Sequence, residues 1–369
     1  MPSDVHYLNC AYMSPLPDMV RAAMASGISA KAQPWNYQPA DFFSVAEDFR
    51  ASAARLFSTD ADNIAIVPSV SYAMAIAAKN LPLARGQSVV LLADQFPSNL
   101  YVWRKKAAKA GARIVTVARD PLLGWTPAVL DAIGPDTAIA ALPHNHWADG
   151  GLLDLAAISA KCRSVGAALV LDLTQSLGAL PFDLAAIQPD FAVSAGYKWM
   201  MSPYGTGALY IAPKYHDGAP IEQTWMGRAG SEDFARLTDY RDEYQPGARR
   251  FDMGEKSNPP LLMGAKAGID MLLAWGVQAV SDTLAAKTTA IAQAAREIGL
   301  IADDIGTGCG GRAPHFLALR FPGGVPSGLT ERLAAANVFV SLRGASLRVT
   351  PHVYNDEADS TALIAALSR

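Results

Sequence analysis

The sequence predicts an α/β protein with two parts: a large domain built on a mostly parallel seven-stranded sheet, and a smaller α/β domain after it. Short runs rich in Val, Ile and Leu alternate with segments whose apolar residues recur at helical spacing, which is typical of a doubly wound parallel sheet. The runs lack an apolar–polar alternation, as expected of strands that helices cover on both faces.

Seven runs are predicted strands of the large sheet: Ile64–Val67, Val89–Leu92, Ile114–Val117, Ile139–Leu142, Leu169–Leu171, Phe191–Val193 and Ala208–Ile211. The segments between them are predicted helices: Tyr72–Asn80, Asn99–Ala110, Pro127–Ile133 and Leu155–Val165. The loop that joins the last two strands contains Pro203 and Gly205 and is too short for a helical crossover. These two strands should therefore be antiparallel.

The pattern changes near residue 250, where two long helices, Leu261–Trp275 and Val277–Ile298, meet at Gly276. We therefore predict a large domain of residues 15–250 and a small domain that combines residues 1–14 with residues 251–369. The later elements are predicted strands at Phe316–Phe321, Val338–Ser341 and Ser346–Val349, a helix at Ser327–Ala335 and a final helix from Asp356.

Composition argues against several classes of protein. The 369 residues carry a formal net charge of −3, so they lack the basic excess that nucleic acid or an anionic membrane attracts. No apolar run reaches the roughly 18 residues of a membrane span, and MPSDVHYLNC is not a secretory signal. Cys10, Cys162 and Cys309 form no CxxC pair, which suits a reducing compartment. We expect a cytoplasmic protein without a nucleic-acid or membrane partner.

Polar and aromatic side chains follow the predicted strands at their carboxyl ends, where open α/β sheets bind ligands. Serines at the start of the first helix would cap it and leave free N–H groups, which bind anions. Each residue has an ordinary structural explanation, such as a helix cap, but their shared edge indicates a site. The residues are Ser69, Ser71, Phe96, His144, His146, Asp172 and Lys198.

Asp172 and Lys198 carry the strongest chemical signal. A carboxylate that follows the apolar run ALVL is partly buried, and burial without a cationic partner is costly. Lys198 is one such partner, in a structural ion pair. The other is the protonated ring nitrogen of pyridoxal phosphate (PLP), a cofactor that needs a lysine, a carboxylate, an anion site and an aromatic or imidazole ring over it. The strand ends supply all four.

Six blocks of sequence occur in a characteristic order: LNCAYMSPLP, QFPSNLYVW, LVLDLTQSLGALPFDL, DFAVSAGYKWMMSPYGTGALYI, RRFDMGEKSNPPLL and LRVTPHVYN. Together they resemble the class V aminotransferase-like family of PLP enzymes, which includes cysteine desulfurases and kynureninases. The resemblance covers nearly the whole chain, and D-x-x-Q-S and Y-K-W are its most specific motifs. It implies fold type I of the PLP-dependent transferases, and a homodimer with cofactor sites near the subunit interface.

The resemblance also implies a role for each matching residue. Lys198 would bind the cofactor covalently, Asp172 would hold the pyridine nitrogen, and Gln175 would bond near the phenolic oxygen. The other cofactor contacts would come from Val70 and Ser71 at the phosphate, Phe96 over the ring, Tyr197, Trp225 and the segment Ser257–Asn258.

Arg348 is the predicted substrate-binding residue. Alternation along Ser346–Val349 places Leu347 and Val349 on one face of the strand and Arg348 on the other. A planar guanidinium binds a carboxylate through two hydrogen bonds, and LRVTPHVYN matches the family's carboxylate-binding segment. The alternative is a surface arginine on an edge strand.

The sequence departs from the desulfurases in two places. No cysteine stands in Arg343–Ser346, just before the arginine segment, so sulfur transfer through a persulfide is not expected. The desulfurase block H-x-N-N-E-T-G becomes HNHWADG, in which His144 competes with Phe96 for the place over the ring and His146 is free to act as an acid or base. Both histidines with Asp149 also resemble a zinc set, but no clear further ligand is near, so we predict no metal.

We therefore expect an enzyme that acts on an α-amino acid through a Lys198 aldimine, with Arg348 holding the substrate carboxylate. Released Lys198 would remove the α-proton, while Asp172 keeps the ring nitrogen protonated. Loss of a β-substituent, the reaction of a Cβ–X lyase, is slightly favoured. The alternatives are an aminotransferase that uses a keto acid, a kynureninase-type hydrolase, and a non-catalytic protein of the same fold.

Overall fold

The computed structural model describes residue 2, residues 4–306 and residues 310–368, so Cys309 lies outside the described residues. The strands are β1 His6–Tyr7, β2 Ile64–Val67, β3 Ser88–Leu92, β4 Arg113–Val117, β5 Thr137–Pro143, β6 Ala168–Asp172, β7 Phe191–Ala195, β8 Gly207–Ile211, β9 Ile301–Ala302, β10 Leu317–Arg320, β11 Val338–Phe339, β12 Ser341–Arg343 and β13 Ser346–Val349. The α-helices are α1 Asp18–Ala32, α2 Asp41–Phe57, α3 Val70–Asn80, α4 Tyr101–Ala110, α5 Thr126–Ala132, α6 Leu155–Val165, α7 Leu184–Ile187, α8 Pro259–Trp275, α9 Val277–Glu297, α10 Leu329–Ala335 and α11 Glu357–Leu367.

The large sheet contains the seven strands that the sequence predicts, in the order β2-β8-β7-β6-β5-β3-β4. Its pairings are parallel except those of β8, which runs antiparallel to both β7 and β2. The mostly parallel seven-stranded α/β sheet and the antiparallel last pair are thereby confirmed.

Both faces of the sheet are buried, which explains why its strands show no polar alternation. Along β2, Ile64 and Ile66 face one apolar cluster, while Ala65 and Val67 face a second one on the other side. Neighbouring strands split in the same way. Because each face packs against helices, every position of the strand is free to be apolar.

The second part of the chain contains an antiparallel sheet in the order β12-β13-β10-β9. The predicted strand Val338–Ser341 is wrong as a single element. Its first half is β11, which pairs in parallel with β1, and its second half begins β12, which pairs with β13. The chain changes partner at Val340 because the two halves belong to different sheets.

Two N-terminal helices, α1 and α2, were not predicted. The buried residues Phe49, Ala53, Leu56 and Phe57 recur at helical spacing along α2, so a signal was present. Both helices pack against α8, and a Cβ on Gly27 of α1 would lie 2.5 Å from the Pro260 nitrogen, so the close contact requires glycine there.

The predicted domain boundary near residue 250 remains a prediction. Helix α8, which that boundary assigns to the small domain, buries Leu262, Ala265 and Ile269 in the core of the large sheet. Among the described residues, no single helix is long and apolar enough to span a membrane; α8 and α9 meet that criterion only as a pair, bent by 78°.

Candidate active site

A cavity of about 240 Å³ lies at the carboxyl ends of β2, β3, β5, β6 and β7. It gathers most of the side chains that the sequence predicts for the site. The predicted residues that line it are Val70, Ser71, Phe96, Asp172, Gln175, Tyr197 and Lys198.

Lys198 lies in the tight loop between β7 and β8, with only 5% of its surface exposed. Burial lowers its pKa to about 8, against the opposing effect of Asp172, and the charge of Arg348 lowers it further. The loop is compact because Gly196 lets its backbone approach Thr206, where a Cβ would lie 2.8 Å from the Thr206 hydroxyl. The amine is therefore desolvated, and its neutral form is far more populated at physiological pH than that of an ordinary lysine, while the protonated form still predominates.

Asp172 ends β6, and its carboxylate makes no salt bridge within the described part of the chain. Its carboxylate accepts a hydrogen bond from the Thr174 N–H at 3.0 Å, and burial raises its pKa. Within the described chain, no lysine or arginine lies at salt-bridge distance from it, so the alternative of a direct ion pair with Lys198 is not observed. A buried carboxylate that faces a cavity and makes no salt bridge is suited to bind a cationic group there, such as the protonated ring nitrogen of PLP.

The first turn of α3 forms the opposite end of the cavity. Ser69 caps the helix by accepting the Tyr72 N–H at 3.2 Å, and its hydroxyl lies 3.0 Å from that of Ser71. The backbone N–H groups of Val70 and Ser71 have no acceptor among the described residues. Unpaired N–H groups at a helix N-terminus fit a phosphate.

Gln175 is held rigidly at the wall of the cavity. Its side-chain oxygen accepts the Trp199 indole N–H at 3.1 Å, and its side-chain nitrogen donates to the Ala11 carbonyl at 3.1 Å. Tyr197 lies nearby with its ring 4.5 Å from that of Tyr204, and burial raises the pKa of Tyr197 to about 12. Its phenol is therefore protonated at neutral pH.

Phe96, and not His144, lies at the cavity. The residues beyond β5 alternate in direction, so that Asn145 and Trp147 line the cavity while His144 points away from it. The His144 ring lies 6.4 Å from that of Phe182, and burial lowers its pKa to about 3. The Lys198 amine lies 5.3 Å from the centre of the Phe96 ring, which leaves Phe96 as the aromatic at the predicted ring position.

His146 is a structural contact in this arrangement and does not line the cavity. Its Nε2 lies 3.2 Å from the Ala93 carbonyl oxygen, its Nδ1 lies 3.3 Å from the Asp149 carboxylate, and its ring packs against Trp125. It thereby joins the end of β3 to the loop after β5. In the part of the chain that is described, no three His, Cys, Asp or Glu side chains form a metal site.

Trp225 and Asn258 do not line the cavity. Trp225 packs against Phe43 and Phe234, and Asn258 caps α8 by accepting the Leu261 N–H at 3.3 Å. The cofactor contacts that the resemblance assigns to them are not made within this chain.

Arg348 is buried, with 2% of its surface exposed, and contacts the wall of the cavity. It donates to the backbone carbonyl of Trp147 at 3.0 Å, while its Nε finds no partner among the described residues. Burial lowers its pKa to about 10, and the positive charge of Arg343 adds to this effect. A buried guanidinium without a carboxylate partner is suited to a ligand carboxylate.

Sequence reasoning missed Asn145 and Thr174, which also line the cavity. Asn145 is fully buried, and neither atom of its amide group has a partner among the described residues. Asn145 stands between His144 and His146 in HNHW, and the prediction assigned roles to the two histidines and none to the asparagine.

Comparison with known proteins identifies the family. The model of the family "Aminotransferase class-V" matches residues 25–348. An uncharacterised aminotransferase, YcbU, from Bacillus subtilis is 27% identical over 84% of this chain and 80% of its own length. A kynureninase from Deinococcus radiodurans is 31% identical over 69% of this chain and 62% of its own length.

The solved structures show the same fold. The cystine C–S lyase C-DES, in complex with its product cysteine persulfide, matches with a TM-score of 0.88 at 19% identity, covering 99% of this chain and 98% of that chain. This likeness confirms fold type I. The predicted enzyme class and cofactor are confirmed for the family, whose members are PLP-dependent enzymes. The chain belongs to the class-V aminotransferase family.

Proposed function

We propose that the protein is a PLP-dependent enzyme that cleaves a Cβ–X bond of an α-amino acid. One observation carries the proposal: a desolvated lysine, Lys198, and an unpaired buried carboxylate, Asp172, line the same cavity. Its opposite end is the free N-terminus of α3. A lysine of this kind would bind the aldehyde of PLP, the carboxylate its ring nitrogen, and the helix N-terminus its phosphate.

Each residue at the cavity has its own role in the proposed reaction. PLP, when bound, supplies an electron sink for the negative charge left on the substrate Cα. Asp172 would hold a proton at the ring nitrogen, and Phe96, which lines the same cavity, would pack against the ring. Arg348 orients the substrate by its carboxylate, and the amine of Lys198 takes the proton from Cα. Its lowered pKa makes the neutral form, which acts as the base, far more available near neutral pH than in an ordinary lysine.

The described cysteines support elimination over sulfur transfer through a persulfide. Cys10 and Cys162 are buried, and burial raises the pKa of both thiols, that of Cys162 to about 12. Neither supplies the exposed thiolate that sulfur transfer needs. The segment Arg343–Ser346 contains no cysteine. The name of the Bacillus relative keeps an aminotransferase as the second candidate.

We also propose a cytoplasmic homodimer. Trp225 and Asn258 lie away from the cavity of their own chain, although the family resemblance assigns them to the cofactor. A second copy of the chain would bring them to it. Equilibrium sedimentation should then show a dimer, and a monomer that binds PLP with full affinity would contradict this part of the proposal.

The reaction is tested with a panel of amino acids. We expect the purified, coloured protein to release pyruvate from L-amino acids that carry a leaving group on Cβ, without a keto-acid co-substrate. Strict dependence on a keto acid would instead identify an aminotransferase, and alanine release from kynurenine a hydrolase. A protein that stays colourless when given PLP would overturn the proposed function as a whole.

The pH dependence of cofactor capture follows from Lys198. The neutral amine is the nucleophile, and the pKa of Lys198 is lowered to about 8, so capture is slow below that pH and levels off above it. We expect the rate at which apoprotein combines with PLP, followed by absorbance, to have its midpoint near pH 8. A rate that rises up to the ordinary lysine pKa, as for a free lysine derivative measured alongside, would contradict the burial argument.

A further inference from the structure

The hairpin β12–β13 carries two arginines on one face. Its register pairs Ser341 with Arg348 and Arg343 with Ser346. Paired residues of antiparallel strands point to the same face, and so do residues two apart along a strand. Arg343 and Arg348 are therefore diagonal neighbours, while Leu347 faces the apolar core on the other side.

Among the residues that the structure describes, no carboxylate lies at salt-bridge distance from Arg343 or Arg348, whereas Arg50, Arg249 and Arg320 each have such a partner. Arg343 donates to the Leu342 carbonyl at 2.8 Å. Like charges on neighbouring positions of a sheet repel each other, so an anion bound at this face would offset the repulsion.

Both arginines contact one residue of the cavity wall, Trp147. The Arg343 guanidinium carbon lies 5.8 Å from the centre of the indole ring, and Arg348 donates to the backbone carbonyl of the same residue. The indole ring in turn lies 5.5 Å from that of Phe96. Trp147 therefore connects the two guanidinium groups to the aromatic wall of the cavity.

The field of Arg343 reaches the reacting groups. Its positive charge contributes to the lowered pKa of both Arg348 and Lys198. A cation–π contact with Trp147 holds the guanidinium in place but does not neutralise it. A ligand that places one anionic group on Arg348 and a second on Arg343 would remove the repulsion between them.

We propose that Arg343 is a specificity-determining residue and that the site takes α-amino acids whose side chain carries a second anionic group. The inference rests on the proposed function, in which Arg348 binds the substrate α-carboxylate. The side chain of the substrate would then extend along Trp147 to Arg343. Carboxylate and sulfonate share the required chemistry, because both accept two hydrogen bonds from a guanidinium.

Calorimetry with carboxylates that have no amino group tests the inference apart from the reaction. We expect the PLP-loaded protein to bind succinate and glutarate at least about 10-fold more tightly than butyrate and pentanoate. Arg343→Gln should reduce this preference below about 2-fold, chiefly by weakening the binding of succinate and glutarate. Arg343→Lys should keep part of it, since the charge remains.

Two control variants sharpen the result. Arg348→Gln should weaken the binding of all four acids, while Arg85→Gln removes an equal charge from an exposed turn at the amino end of the sheet and should change nothing. Equal affinity of wild-type protein for di- and monocarboxylates would overturn the inference. So would a preference that survives Arg343→Gln.

Amino acids identify the second group. L-aspartate and L-cysteate, compared with L-asparagine, should shift the visible spectrum of the wild-type protein at lower concentration, and Arg343→Gln should abolish the difference. The two proposals fail separately. A protein without a cofactor spectrum overturns the proposed function, whereas a normal spectrum with no preference for anionic side chains overturns only the role of Arg343.

Discussion

Replacing Lys198 with alanine will abolish covalent retention of PLP and reduce turnover by about 100- to 10,000-fold, the range that removal of a positioned acid or base produces. The lysine both links the cofactor and moves the Cα proton, so no other residue replaces it. In the described chain, Lys198 is the one lysine that lines the cavity. Borohydride reduction followed by mass spectrometry measures retention directly, because only an amine-linked cofactor stays attached after denaturation.

Two variants control this experiment. Lys198→Arg keeps the charge without a usable nucleophile, so it should behave like the alanine variant. Lys214→Ala removes a lysine whose side chain is 67% exposed beside Asp190, and it should retain the cofactor as the wild type does. Covalent retention of PLP by Lys198→Ala would contradict the assignment of Lys198. A non-catalytic protein of this fold would instead bind PLP as the wild type and still show no turnover.

Asp252→Asn will destabilise the fold by about 3–5 kcal/mol, because it removes the carboxylate that the buried cations Arg50 and Lys256 share, although Arg50 keeps its pair with the partly exposed Glu47. The Asp252 carboxylate accepts from Arg50 at 2.7 Å and from Lys256 at 2.7 Å, and from the Ile66 N–H at 2.8 Å. All three charged side chains are at least 96% buried. Urea unfolding of wild type and variant at pH 7 measures the difference in free energy of unfolding.

The pH dependence has a definite sign. Arg50 and Lys256 lower the pKa of Asp252 in the folded state against the effect of burial, so its contribution is present above the ordinary aspartate pKa and is lost as the pH falls through the lower folded value. The difference between wild type and variant should therefore shrink in strong acid. Asp270→Asn is the matched control, since its pair with Lys266 is about one-third exposed and should cost at most about 1 kcal/mol.

The sequence predicted the seven strands of the large sheet, and placed Asp172 and Lys198 at one edge of it, because both follow from local patterns. Asp172 is the last residue of one buried strand and Lys198 lies three residues after another, and the carboxyl ends of parallel strands meet at one edge. Strand direction and helix spacing were enough to bring these residues together. The helix cap at Ser69 was predictable as well, because a cap is also a local pattern.

The sequence did not show which of the residues after β5 point into the cavity. The strand is apolar on both faces, so nothing in its pattern shows whether His144 or Asn145 points into the cavity. Similarly, the partners of Val338–Phe339 depend on β1, more than 300 residues away along the chain. Contacts of this kind are set by tertiary packing, which a single sequence does not encode locally.

The placement of β2 at the edge of the sheet has a consequence for biosynthesis. Its only neighbour is β8, which is translated after every other strand of that sheet. Until Gly207–Ile211 has emerged from the ribosome, β2 and the turn that precedes α3 cannot join the sheet, and closing so long a loop is entropically slow. A nascent chain should therefore be unable to acquire vitamin B6 before the large sheet is complete, and a stalled intermediate would expose an unpaired edge to aggregation.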